Sequence, residues 1–273
     1  MDSRPIPSSG RMLPVIGLGT WQGFDVGPAP DERAPLADVL RALVEAGGSV
    51  VDSSPMYGRA EGVVGDLLSE TGLHDRAFVA TKVWTRGRQA GVDQMRRSLQ
   101  LLRRERIELM QVHNLVDAST HLATLRAWKA EGRIAHLGIT HYAASAHDEV
   151  AAAMRAEPID FVQINYALDD RAAERTILPL AAERGVAVIV NRPFGGGGLL
   201  RRLRGTALPS WAAEIDCTSW SQVLLKFVLG HPSVTCAIPG TSKPEHMRDN
   251  ARAGTGRIPD MDFRRRMVTS LGF

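Results

Sequence analysis

Lysine is nearly absent from this chain of 273 residues: only Lys82, Lys129, Lys226 and Lys243 occur, although lysine and arginine together number 33. Tyrosine is confined to Tyr57, Tyr142 and Tyr166, and cysteine to Cys217 and Cys236. Two cysteines in polar sequence surroundings suggest neither a disulfide framework nor a metal site, and no metal is expected. No stretch approaches the roughly 18 apolar residues needed to span a bilayer, and the N-terminus lacks the apolar run of a secretory leader. A soluble cytoplasmic protein with no membrane partner is the expectation. A formal charge of +3 is small for this length. Arginines are scattered along helical stretches, and the runs Arg201-Arg202-Leu203-Arg204 and Arg264-Arg265-Arg266 read as solvated faces, so no nucleic-acid partner is expected.

What is present is a long alternation of short apolar runs and amphipathic segments, with 44% hydrophobic residues to build one large core. Residues Arg4 to Val15 read as a hairpin around Ser8-Ser9-Gly10. A buried strand follows over Val15–Trp21, then a helix from Asp31 whose Leu36, Val39, Leu40, Leu43 and Val44 share one face before Gly47-Gly48. Further strands are expected at Val50–Asp52, Ala77–Thr81, Leu109–Val112, Ala135–Thr140, Phe161–Ile164, Val186–Val190 and Val234–Ile238, with a helical pattern after each. Gly195 to Cys217 reads as irregular, and a short helix beginning near Pro244 closes the chain. Eight strands alternating with helices predict an α/β fold, a closed (β/α)8 TIM barrel with an N-terminal β-hairpin, residues 1–273 forming one domain. A doubly wound open sheet fits less well, because Gly17 and Gly19 are followed by Thr20-Trp21-Gln22 and not by a glycine-opened helix.

Three strand ends carry titratable groups. Val50-Val51 runs into Asp52, with Tyr57 five residues on in the loop; Lys82 follows one apolar run and His113 another. Each alone has an ordinary reading: a turn residue or helix cap for Asp52, packing for Tyr57, a satisfied structural histidine for His113. Together, at the C-terminal ends of barrel strands where active sites sit, they form a coherent set. A phenol is a weak acid, with a reference pKa of about 10. A neighbouring ammonium favours the phenolate and lowers that value, and a carboxylate holds the ammonium in place. A neutral imidazole donates a hydrogen bond that orients a substrate oxygen. Such a set protonates an oxygen that gains negative charge, as in reduction of a carbonyl by an external hydride source.

With Gly17-Leu18-Gly19-Thr20-Trp21, the Asp52–Gly58 loop, Lys82 and His113, the chain resembles the aldo-keto reductases. Gln163-Ile164-Asn165-Tyr166, the glycine-rich turn Pro193–Gly198 and the stretch from Ile238-Pro239-Gly240-Thr241-Ser242 to Asn250 extend the resemblance over roughly Leu13 to Asn250. It implies a NAD(P)H-dependent reductase of a small aldehyde or ketone, with NADPH favoured and NADH not excluded. Tyr57 would be the general acid, tuned by Lys82 and Asp52, with His113 orienting the carbonyl. Gly19, Thr20, Trp21, Asp52, Thr140, His141 and Gln163 would lie at the nicotinamide end. Asn191, Arg192, Pro193, Phe194, Gly195 and Gly197 would follow along the cofactor. Ile238, Gly240, Thr241, Ser242, Lys243, Arg248 and Asn250 would hold the adenosine phosphate. Trp21, Met56, Tyr57, Trp84 and His113 would wall the substrate pocket.

The chain departs from the family pattern at four places. Thr140-His141 replaces a common Ser-Asn pair, and Asn191 replaces an aromatic residue that stacks on the nicotinamide, so either Arg192 takes over, by lying flat against the ring or by binding the pyrophosphate, or the ring is held less firmly. Gly240 and His246 stand where Lys and Arg commonly hold the 2′-phosphate, leaving Lys243 and Arg248 as substitutes. Ending at Phe273, the chain has no long C-terminal loop, and an open pocket with loose substrate selectivity is expected. Two other readings stay open: a nicotinamide-binding sensor or regulatory subunit with little turnover, and a phosphate-binding barrel lyase or isomerase.

Overall fold

The structure, a computed structural model, describes all 273 residues. Two strands, β1 (Ser3–Pro5) and β2 (Met12–Pro14), pair antiparallel as the N-terminal hairpin. Eight more form one parallel sheet in strict chain order: β3 (Leu18–Gly19), β4 (Val50–Asp52), β5 (Phe78–Val83), β6 (Ile107–His113), β7 (Ile134–Thr140), β8 (Phe161–Asn165), β9 (Ala187–Asn191) and β10 (Cys236–Ala237). Parallel bridges between Ile16 and Ala237 and between Gly19 and Gly240 bring the first strand to the last and close the barrel. No helix is long and apolar enough to cross a membrane.

Between the strands run α1 (Pro30–Glu45), α2 (Ala60–Glu70), α3 (Arg88–Leu101), α4 (Ala118–Ala130), α5 (His147–Ala156), α6 (Ile177–Arg184) and α8 (Trp220–Leu229), with the short α7 (Gly198–Arg202) in the loop after β9. Alternation along the strands divides the apolar residues between two cores. Val51, Val79, Val112, Val162 and Val188 point outward and pack under the helices. Val50, Phe78, Leu109, Phe161, Ala187 and Ile189 point inward, where Ile6 and Leu13 of the hairpin join them and plug the N-terminal end. Because side chains alternate with period two, the same inward face continues at Asp52, Lys82, Gln111, Gln163 and Asn191. The barrel is thus apolar at its floor and polar at its mouth.

The hairpin is held down by Arg4, whose guanidinium donates to the carbonyls of Leu229 (2.6 Å) and His231 (3.2 Å) and to that of Val234, at and beyond the C-terminus of α8. Lys226, on the same helix and fully buried, donates to the carbonyls of Ile215 (2.7 Å) and Arg257 (3.0 Å). One of the four lysines thus serves as a fastener of backbone.

Three sequence expectations are corrected. The first and last barrel strands are two residues each, shorter than Val15–Trp21 and Val234–Ile238, and Trp21 lies exposed in a turn. The helix near Pro244, α9 (Pro244–Arg252), is not the last, since α10 (Met261–Leu271) follows, capped by the Asp260 carboxylate accepting from the Phe263 N–H at 2.8 Å. Arg264 is not on a solvated face. It is 3% exposed, lies over the Phe227 ring, donates to the Phe227 carbonyl at 2.9 Å and bonds Tyr166 and Glu174, tying α10 to the barrel.

α2 crosses the end of α3 so closely at Gly65 that a Cβ there would stand 2.1 Å from the Leu101 carbonyl oxygen. At Gly62, one turn earlier, the nearest atom would be a Leu101 methyl at 3.5 Å. Gly65→Ala is therefore expected to cost about 1–3 kcal/mol or more. Gly62→Ala should be neutral or stabilising by up to about 1 kcal/mol. Urea unfolding of the two variants checks the contrast.

Candidate active site

The four titratable groups converge at the barrel mouth. Asp52 ends β4 and Lys82 lies one residue before the end of β5; both are buried, with Lys82 Nζ 2.7 Å from Asp52 Oδ2. Nζ also donates to the Ser53 carbonyl at 2.7 Å and stands 5.1 Å from the centre of the Tyr57 ring. Tyr57 is partly buried in the loop between β4 and α2, where its N–H donates to the Ser54 carbonyl at 2.9 Å. The His113 ring, at the end of β6, meets Tyr57 edge to face with centres 6.0 Å apart. Trp84 lies on another side of it, at 6.4 Å.

Burial pushes the Asp52 carboxyl above its ordinary range, while Lys82 pulls it back. Burial alone would weaken the Lys82 ammonium, but Asp52 and Tyr57 outweigh it and the lysine titrates above its usual value. The two groups stand in direct contact, with the ammonium strengthened by its carboxylate partner. Tyr57 differs from the sequence expectation: burial raises the phenol, assisted by the Asp52 charge, and Lys82 only partly offsets this. In the chain alone the phenol is thus held protonated, which suits a proton donor. Burial, reinforced by Lys82 and His141, lowers His113 to about 3, so the imidazole is neutral across the physiological range.

Around this centre, Thr20 donates its hydroxyl to the Asp52 carbonyl at 2.9 Å, and Gln111 Nε2 donates to Gln163 Oε1 at 3.0 Å. Gln111 and Gln163 lie near enough to favour the Asp52 charge, yet Asp52 Oδ1 accepts no hydrogen bond. Gln111 Oε1 and Asn191 Oδ1 are likewise buried without partners. Buried acceptors left unpaired are uncommon. A carboxamide and ribose hydroxyls, as in a nicotinamide nucleotide, carry the donors these oxygens lack. Asn191 Nδ2 donates to the His141 carbonyl at 3.1 Å, and Thr140 is buried at the end of β7.

Beyond Asn191 and Pro193, the glycine turn has Gly195, Gly196 and Gly197 all at positive φ (58°, 64° and 87°), a backbone that forms anion-binding concavities. A Cβ on Gly196 would fall 2.6 Å from Arg192 Nη2, so the guanidinium stands over the turn, and it also lies 5.8 Å from the Tyr142 ring. Arg192 thus lies between the glycine turn and the Tyr142 ring. Phe194 packs half-buried beside the turn. Across the seam, Gly19 and Gly240 approach so closely that a Cβ on Gly240 would sit 3.2 Å from the Gly19 carbonyl oxygen. Ile238 is buried there, Thr241 accepts from the Lys243 N–H at 3.1 Å, and Asn250 is buried on α9. Ser242, Lys243 and Arg248 are exposed, and neither cation is in an ion pair. Met56 and Trp84 stand half-exposed at the mouth, while Trp21 is exposed beyond Thr20. The residues present fit a nicotinamide dinucleotide.

Reading by residue type overlooked Gln111 and Ser54. Gln111 was findable, since it lies two residues before His113 on the same face of β6; Ser54 carried no signal of its own.

A parallel barrel with an Asp–Lys–Tyr–His cluster and an unpaired acceptor set at its C-terminal mouth is the architecture of an enzyme handling a carbonyl oxygen. The chain belongs to the aldo/keto reductase family, whose model matches residues 15–266, and it is an oxidoreductase. It is 29% identical over 259 residues to the methylglyoxal reductase YeaE of Escherichia coli, covering 92% of this chain and 89% of that protein. An NADH-specific methylglyoxal reductase of the same organism is 23% identical over 319 residues, covering 96% of each. An aldo/keto reductase of Klebsiella pneumoniae, solved with NADP and acetate, superposes with a TM-score of 0.81 at 26% identity, covering 96% of this chain and 92% of that one.

His113 has a consequence for stability. Its imidazole stays neutral when folded down to about pH 3 but takes up a proton near 6.5 when unfolded. His231, lowered to about 4 chiefly by burial, behaves alike. The unfolded chain binds more protons between these limits, so stability falls as pH drops below 6.5. Urea midpoints should decrease from about pH 7 to about pH 5, with a smaller decrease in His113→Gln.

Proposed function

We propose that this protein reduces a small aldehyde or ketone to the alcohol with NADPH, Tyr57 being the proton donor. The observation that carries the reading is the Lys82 ammonium, 2.7 Å from Asp52 Oδ2 and 5.1 Å from the Tyr57 ring at the barrel mouth. When bound, the nicotinamide cofactor supplies a hydride to the carbonyl carbon. Tyr57 gives its phenolic proton to the carbonyl oxygen as that oxygen gains charge. Lys82 stabilises the phenolate left behind, and Asp52 fixes the ammonium and keeps it charged. His113, neutral, offers an N–H to the same oxygen. Asp52, Gln111, Gln163 and Asn191 would hold the nicotinamide end, with Gly19, Thr20, Trp21, Thr140 and His141 around it. The glycine turn and Arg192 would hold the pyrophosphate, and Lys243 and Arg248 the adenosine phosphate. Trp21, Met56 and Trp84 would wall an open pocket. Methylglyoxal, which the names of two relatives carry, is a suitable first substrate.

A nicotinamide-binding sensor with the same fold is the competing reading. Tyr57→Phe separates the two: turnover should fall by a factor on the order of 10² to 10⁴ while NADPH binding is retained. Unchanged function in that variant would favour the sensor.

The cofactor preference is tested by fluorescence titration with NADPH and NADH in parallel. NADPH should bind more tightly, and Lys243→Ala with Arg248→Ala should weaken NADPH by roughly tenfold or more while leaving NADH unchanged. Equal affinity of the parent protein for both would remove the phosphate role, and binding of neither would overturn the reductase reading.

A further inference from the structure

His113 can orient a carbonyl only if the proton of its neutral ring sits on the nitrogen that faces the site. The buried Ser54 Oγ lies 3.0 Å from His113 Nδ1. The same oxygen accepts the Met56 N–H at 3.3 Å, and these two groups are its only partners. A hydroxyl has one proton to give. Were Nδ1 to carry the ring proton and donate to Oγ, the serine proton would be left buried without an acceptor, at a cost a native site rarely bears. Donation from Ser54 to Nδ1 pairs both the hydroxyl and the ring nitrogen that faces it. Nε2, which has no hydrogen bond to the protein, then carries the hydrogen.

We propose that Ser54 is a positioning residue: by donating to Nδ1 it holds His113 as the Nε2–H tautomer and fixes the ring with its donor toward the substrate oxygen. Ser54 lies between Asp52 and Tyr57, in the loop whose backbone also supplies the Ser53 carbonyl to Lys82. One turn of chain therefore sets the proton donor, its ammonium partner and the orienting imidazole. His113 remains neutral to about pH 3, so the choice of tautomer holds throughout the working range.

The test combines nitrogen-15 NMR of the histidine side chains with kinetics of methylglyoxal reduction, in the full chain and in Ser54→Ala and Ser54→Cys. The cysteine variant retains the side chain's size but is a weak donor, which separates lost packing from a lost hydrogen bond. In the parent protein the His113 Nδ1 resonance, assigned by its disappearance in His113→Gln, should be that of a hydrogen-bonded acceptor with the proton on Nε2. Both Ser54 variants should shift it toward an unbonded nitrogen and lower kcat about tenfold, the effect of one neutral hydrogen bond, with NADPH affinity within about twofold of the parent. A proton on Nδ1 in the parent, an unmoved resonance in both variants, or a moved resonance with unchanged kcat would overturn the proposal. The kinetic arm rests on the reductase reading and the NMR arm does not. If the parent protein reduces no carbonyl, that reading fails by itself and the spectra alone decide the tautomer, an Nδ1–H ring still overturning it.

Discussion

The buried ion pair of Lys82 with Asp52 is the interaction on which the mouth of this barrel depends. Two charges removed from water are costly, and a pair of this kind holds only where geometry and further hydrogen bonds compensate. Here the ammonium has the carboxylate on one side and the Ser53 carbonyl on another. The pair reaches beyond catalysis, because it joins the end of β4 to β5 and thereby anchors the loop that carries Tyr57. Taking away either partner leaves a lone buried charge, so loss of activity and loss of structure cannot be separated at these two positions. Tyr57, which only borders the pair, is where chemistry can be altered with the frame intact.

A second organising constraint is the period of two along the strands. Below, inward positions are Val50, Phe78, Leu109 and Phe161, and the hairpin residues Ile6 and Leu13 seal them off. Above, the same files continue as Asp52, Lys82, Gln111 and Gln163. The apolar floor gives the polar layer a packed support.

Much of this was legible because rare residues end apolar runs. Asp52, Lys82 and His113 announce themselves at strand ends, and the alternation of elements is regular enough to count eight strands. What escaped depends on distant partners. Arg264 stands in a run of three arginines that reads as solvated, and only Tyr166 and Glu174, remote in the chain, turn it into a buried fastener. The lowering of Tyr57 acidity likewise follows from burial, which residue spacing does not report. Serine is so common in loops that Ser54 gains meaning only once His113 is seen beside it. The end strands shrank because Gly17, Gly19, Pro239 and Gly240 set a close but sparsely bonded approach.

That sparse approach makes the junction of β3 and β10 the meridian along which the barrel can breathe. The junction is joined by the Gly17 N–H to the Ala237 carbonyl, the Ala237 N–H to the Val15 carbonyl and the longer Gly19 N–H to the Pro239 carbonyl, at 2.9, 2.9 and 3.3 Å, whereas β5 to β8 pair along most of their length. A junction with so few bonds is where local opening is expected ahead of global unfolding. Any ligand that spans Gly19 and Gly240 acts as a clasp across it, so occupancy and barrel integrity are thermodynamically linked. Ligand-free protein is accordingly expected to open more readily along its seam than ligand-bound protein.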